Sequence, residues 1–279
     1  MKIIKILSII FALSLFVQSC DKIQPPYKDG EGIDCEVGNQ NVLIEDYTGH
    51  TCVNCPGAAQ TAHEIKELCE ERVVIIAVHA GYFAEPKPTG DFTYDFRTET
   101  GNEWNDFFGI ISYPNGVVNR MNEDGNYILS PGQWTEASTE LLAQNSAVNI
   151  EIENEFDNNQ LTTKVTADFI DDVDGNYSLI VCLTEDNIIK PQKNSIPGIN
   201  NGQDIEDYHH MHVLRAAING AWGQSFVSGS ISNGETVSKT YTQSFDGTDW
   251  VSENCNVVAF IYNETDKLVM QVEESKIIE

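Results

Sequence analysis

Cys52-Val-Asn-Cys55 is the stretch whose residue types and spacing can do chemistry. Two cysteines with two residues between them close into a small disulfide ring, and the ring opens reversibly when one sulfur sits at a helix N-terminus. There the helix dipole and the free N–H groups stabilise a thiolate, the form that attacks a disulfide. A helix is expected directly behind the pair, because Ala58, Ala62, Ile65 and Cys69 recur at helical spacing. Pro56 suits its first turn, where an N–H has no internal partner. In front, Val42-Leu-Ile-Glu-Asp-Tyr-Thr48 reads as a strand that turns at Gly49. Beyond the helix, Arg72-Val-Val-Ile-Ile-Ala-Val-His79 is a nearly continuous apolar run bounded by Gly81, the pattern of a parallel strand buried on both faces. Strand, dithiol, helix and strand make a βαβ unit with the dithiol at its ligand-binding end.

Together with Gly109-Ile-Ile-Ser-Tyr-Pro-Asn-Gly-Val-Val-Asn-Arg120, these residues resemble the thioredoxin-like fold. In that family a cis-proline begins a strand opposite the dithiol. The resemblance puts Pro114 in that position, and implies that it presents backbone to a substrate chain and keeps metals off the sulfurs. Zinc ribbons share the C-x-x-C spacing, but they need a second Cys or His pair nearby, and the sequence has no second C-x-x-C. Pro86, Pro88 and Gly90 mark a loop before a helix expected over Arg97 to Phe108, with Trp104, Phe107 and Phe108 packing on the sheet. Val117-Val118 is expected as strand, Glu123 to Asn126 as a hairpin turn and Pro131 to Ala143 as a final helix, closing the first domain near Asn145.

From Ser146 the hydrophobic period changes to two. Val148, Ile150 and Ile152 alternate with polar residues, then Leu161 to Phe169, Tyr177 to Leu183, Asn256 to Tyr262 and Leu268 to Val272, with turn signals between them. Short alternating strands of this kind imply an antiparallel sandwich. The expected fold class is therefore α/β plus all-β: a thioredoxin-like domain over residues 39–145, then an immunoglobulin-like β-sandwich over 146–279, interrupted by a long Asn/Gly-rich connection from Asn187 to Asp207.

The chain begins with Lys2 and Lys5, an apolar run from Ile6 to Val17 and the sequence Val17-Gln-Ser-Cys20, which reads as a signal peptide over residues 1–19. A Cys directly after a small residue resembles a bacterial lipobox, in which Cys20 is lipid-modified and becomes the new N-terminus. Residues 20–38, with Pro25-Pro26, read as a tether. Losing Lys2 and Lys5 with the leader moves the formal net charge from −27 to −29. Such acidity argues against nucleic acid or anionic membrane surfaces as partners.

The lipobox, the segment Val42 to Pro56, and Asp207-Tyr-His-His-Met-His-Val-Leu-Arg-Ala-Ala-Ile-Asn-Gly220 together resemble the outer-membrane lipoprotein family often called Omp28. The resemblance implies an extracytoplasmic protein, lipid-anchored to the outer membrane of a Gram-negative bacterium. An adhesin role has been proposed for members.

Three of the six histidines fall within Tyr208-His-His-Met-His212. On one face of a strand, His210 and His212 would suit copper or zinc; the competing reading is a polar loop-to-strand junction. Asp171-Asp-Val-Asp-Gly-Asn176 lacks the Glu that closes an EF-hand and reads as a turn. With Cys20 on lipid and Cys52/Cys55 as redox pair, Cys35, Cys69, Cys182 and Cys255 remain. An inter-sheet Cys182–Cys255 bridge with a Cys35–Cys69 bridge pinning the tether to the first helix is one of three pairings, and sequence does not choose among them.

Two functions compete. In the first, an envelope-anchored thiol–disulfide oxidoreductase, the more exposed Cys52 attacks a protein disulfide and Cys55 resolves the mixed disulfide. Val53-Asn54 offers no cation, so a moderately reducing pair is expected, with His50 as a nearby proton acceptor or an ordinary turn residue. No cofactor and no resident metal are called for. In the second, a non-enzymatic surface binding protein carries the pair as a structural disulfide. A copper chaperone using Cys52, Cys55 and either His50 or His79 ranks last.

Overall fold

Val42–Thr48 (β1) is buried at every position and pairs in parallel with Val73–His79 (β2), equally buried, so both strands have protein on either face. The 14-residue helix Cys55–Leu68 (α1) joins them, with Pro56 in its first turn. These features come from a computed structural model that describes residue 35, residues 37–69 and residues 72–278. The leader, Cys20 and the tether through residue 34 lie outside the described residues.

Glu99–Phe108 (α2) starts at a Thr98 cap whose hydroxyl accepts the Gly101 N–H and ends at Gly109 in the left-handed region, φ 69°. Asn115–Val118 (β3) pairs antiparallel with β1, and Trp134–Leu142 (α3) closes the N-terminal half. The strands that follow are Val148–Asp157 (β4), Gln160–Phe169 (β5), Val173–Glu185 (β6), Ile188–Gln192 (β7), Ile205–His210 (β8), Val213–Ala217 (β9), Gln224–Ile231 (β10), Thr236–Ser244 (β11), Cys255–Asn263 (β12) and Val269–Lys276 (β13).

The molecule is thus mostly strand with few helices. Its eight-stranded sheet runs β13-β12-β6-β9-β2-β1-β3, with β10 on β6; β11-β5-β4 and β7-β8 form two smaller sheets. Period-two alternation in β6 and β12 sorts their side chains onto opposite faces. Leu179, Val181 and Leu183 of β6 with Val257, Ala259 and Ile261 of β12 pack against β4 and β5. On the other face Ile180, Cys182, Val258 and Phe260 join Leu43, Tyr47, Val74 and Ile76 of β1 and β2, under Trp104 and Phe108 of α2. A third core, of Val42, Ile44, Val73 and Ile75, lies beneath α1 and α3.

The boundary expected at residue 145 does not interrupt this sheet. β9 inserts between β2 and β6, parallel to β2 through the pair Ala77↔Val213, so the second core draws residues from both sides of the boundary. The described residues belong to one compact unit.

Two of the expected cysteine positions need correction. Cys182 and Cys255 are free and buried rather than bridged. In the β6–β12 register Cys182 faces Val258 and Cys255 faces Glu185. An offset of three residues sends the two side chains to opposite faces of the sheet, and they belong to different cores. Cys35 and Cys69 are bonded, with their Cα atoms 5.6 Å apart.

Candidate functional site

Cys52 and Cys55 form a disulfide with Cα atoms 5.4 Å apart. The turn before the helix is closed by the Cys52 N–H donating to Gly49 O at 3.0 Å, and α1 begins at Cys55. The pair therefore sits where the unpaired N–H groups of the first turn point. The Tyr113–Pro114 peptide is cis, and β3 begins with Asn115 opposite Tyr47, which sets Pro114 beside the carboxyl end of β1, the end from which the cysteine turn leaves.

Beneath the pair, β1 carries two consecutive acids with different fates. Glu45 points to the α2 face and is paired with Arg120, both side chains fully buried. Asp46 points to the α1 face, is 2 % exposed, and its Oδ1 has no hydrogen-bond partner. Burial without a cation pushes its pKa up to about 7, so the carboxyl takes and gives up a proton near neutrality. Asp46 was overlooked in the sequence, although the signal was there: an acid in a strand buried on both faces, six residues ahead of Cys52, needs either a partner or a task.

Asp46 and Cys55 line the same cavity of about 470 Å³, together with Thr48, His79, Gln192, Tyr208 and His210. Phe96 packs against two of these histidines, its ring 4.4 Å from those of both His79 and His210. His50 stacks on Phe92 at 5.7 Å. Burial lowers the pKa of all three imidazoles, that of His210 to about 3, so they stand neutral at pH 7. His50 belongs to the turn ahead of Cys52, where its carbonyl accepts the Lys193 N–H.

His210 and His212 do not share a strand face. β8 ends at His210, and His212 adopts φ 56° beyond it with its Nδ1 3.3 Å from Asp186, although both residues line the cavity. Among the described residues no group of three His, Cys, Asp or Glu side chains is placed to hold a metal ion.

Both cysteines are only 2 % exposed, so Cys52 is not the more accessible sulfur expected from the sequence. The Asn/Gly-rich connection accounts for this. It forms the β7–β8 hairpin, whose tip crosses the dithiol turn: Gln192 Nε2 donates to Cys52 O at 2.9 Å, the Lys193 N–H to His50 O at 2.8 Å and the Ser195 N–H to Val53 O at 3.0 Å.

Comparison with known proteins adds context to this geometry. The fold is similar to that of HBP35 of Porphyromonas gingivalis, with a TM-score of 0.62 at 16 % identity over 88 % of this chain and 77 % of that one. A protein of Agrobacterium tumefaciens gives 0.51 at 12 % identity over 87 % and 97 %. A domain of the outer membrane lipoprotein Omp28 from Porphyromonas gingivalis aligns at 25 % identity over 47 % of this chain and 88 % of that domain, with a TM-score of 0.32. No curated protein matches. No helix among the described residues is long and apolar enough to cross a membrane. The model of the family "Outer membrane protein Omp28" matches residues 101–279, a span that holds Pro114, the hairpin over the dithiol and every strand from β3 onward. On that match the chain belongs to the Omp28 family of outer membrane proteins, and so to the cell envelope.

Proposed function

We propose that the protein is an envelope-anchored thiol–disulfide oxidoreductase with a thioredoxin-like N-terminal half, held to the membrane by lipid on Cys20. The observation that carries the reading is a disulfide at the start of α1 with an unpaired carboxyl of pKa about 7 in the cavity that Cys55 also lines. In the dithiol form, the Cys52 thiolate attacks one sulfur of a protein disulfide and expels the other as thiolate. The Asp46 carboxylate takes the Cys55 proton across the cavity. The Cys55 thiolate then attacks Cys52 Sγ, releases the second substrate sulfur and closes the bond present in the structure. Each turnover reduces one substrate disulfide and oxidises one dithiol, which an external dithiol reductant restores. In the reverse direction the same atoms oxidise a substrate.

One observation favours a second reading. Both cysteines are buried under the hairpin, which suits a locked structural disulfide on a surface binding protein or adhesin. The reduction potential of the Cys52–Cys55 couple separates the two, measured in thiol buffers with Cys52→Ser as control. A value between roughly −100 and −280 mV is expected for an exchanger, and one below about −300 mV overturns it in favour of the structural disulfide.

A further inference from the structure

The hairpin tip contacts the dithiol turn in a definite pattern. Lys193 and Ser195, two residues apart, donate main-chain N–H groups to the carbonyls of His50 and Val53, which lie on either side of Cys52. N–H groups at alternate positions are what a peptide main chain offers a partner, and the acceptors here belong to the turn around Cys52 rather than to a sheet edge. Ile196 lies over the first turn of α1, with its Cδ1 2.7 Å from the point where a Cβ on Gly57 would stand. A glycine there lets the side chain settle. Ser195 is exposed and is held by polar contacts, its N–H to Val53 O at 3.0 Å and its hydroxyl donating to Asn54 Oδ1 at 3.4 Å.

The base of the hairpin is fixed and its tip is not built to be rigid. At the base His210 is buried against Phe96 and His79. Beyond Gln192 the chain has no strand until Ile205, and it includes Gly198, Gly202 and two asparagines, Asn200 and Asn201, in the left-handed region. Its own bonds are internal: Lys193 to Asp204, and Asn194 Nδ2 to the carbonyls of Ile199 and Gln203. They hold the tip's shape while leaving its seat on the dithiol to a few polar contacts and Ile196. Segments tied down by few apolar contacts open at low cost.

We propose that residues 192–196 are a built-in pseudosubstrate: they occupy the place that an extended polypeptide takes beside Cys52, and they must swing away before sulfur exchange. The inference rests on the oxidoreductase reading and gives it a substrate class, an unfolded chain carrying a disulfide, which competes for the carbonyls of His50 and Val53. Small disulfides cannot make those contacts and enter only when the tip opens by itself.

The test uses the full chain, its Ser195→Pro variant, which lacks the N–H to Val53, and Ile196→Ala, which clears the first turn of α1. Each is treated with dithiothreitol, and thiols at Cys52 and Cys55 are trapped over time and read peptide by peptide, apart from Cys35 and Cys69. Reduction roughly tenfold faster in both variants than in the parent is expected from loss of one or two such contacts; equal rates overturn the cover. In a Cys55→Ser background, mixed-disulfide formation is then followed with glutathione disulfide and with a short unstructured peptide disulfide. The peptide is expected to react about tenfold faster, and Ser195→Pro to raise the glutathione rate the more. Equal rates with both probes overturn the substrate class. No mixed disulfide with either probe in either form overturns the oxidoreductase reading, while the dithiothreitol rates still decide whether the tip is a cover.

Discussion

Arg120 and Glu45 meet as a bidentate pair with both side chains fully out of water, Nε to Oε2 at 3.0 Å and Nη2 to Oε1 at 2.8 Å. The guanidinium lies over the rings of Phe260, 4.8 Å away, and Trp104, 5.0 Å away. The pair thus ties β1 to the loop after β3 and to a strand from the far end of the chain, in the core shared by both halves.

Removing one partner leaves an uncompensated charge in that core. Glu45→Gln and Arg120→Met are each expected to lower unfolding free energy by about 3–5 kcal/mol, and the double variant Glu45→Leu/Arg120→Met to lose clearly less than the two single losses combined. Urea titrations of the three proteins beside the parent check this.

Asp46 makes stability depend on pH in the direction opposite to an ordinary carboxylate. Its pKa is about 7 in the folded protein against an ordinary 3.8, so the folded state holds the proton more tightly. The stability tied to it is complete below about pH 4 and is lost as pH rises to 7. Asp46→Asn, which cannot ionise, is expected to gain on the order of 4 kcal/mol over the parent between pH 4 and pH 8. The same change is expected to slow resolution by Cys55 and to erase the inflection near pH 7 in the exchange rate.

Cys182 and Cys255 are buried, and desolvation pushes both thiols far above the usual range. Thiolate is the reactive form. Iodoacetamide is expected to leave both unmodified in the folded protein and to modify both in denaturant without reductant, while Cys35, Cys52, Cys55 and Cys69 react only after reduction. Peptide mass mapping reads each position.

The parts of the site that lie close together in sequence were legible there: the dithiol, the helix behind it and the two flanking strands depend on local spacing. β4 and β5 were legible from strict alternation, and β6, β12 and β13 from short apolar runs between turn signals. β10 and β11 were not, because Gly229 and Ser228 in one and a mostly polar run in the other weaken the apolar half of the pattern. The hairpin over the dithiol was hidden because Pro191 and the asparagines around it read as connection, and its strands pair mainly with each other. Cys182 and Cys255 show the deeper limit. Both do lie in adjacent strands, but the register that sends them to opposite faces is set by packing and is not written in either strand.

The insertion of β9 between β2 and β6 also bears on how the chain is made. A chain released from its N-terminus forward presents β1, α1 and β2 long before Val213 arrives to cover the open edge of β2. Until then Val74, Ile76 and Val78 face solvent on the side later closed in part by Ile180, Val258 and Phe260. Bare strand edges and uncovered apolar faces invite pairing with other chains. Folding of this protein is therefore a race between completion and aggregation, and a fragment ending near residue 145 begins it with no means of finishing.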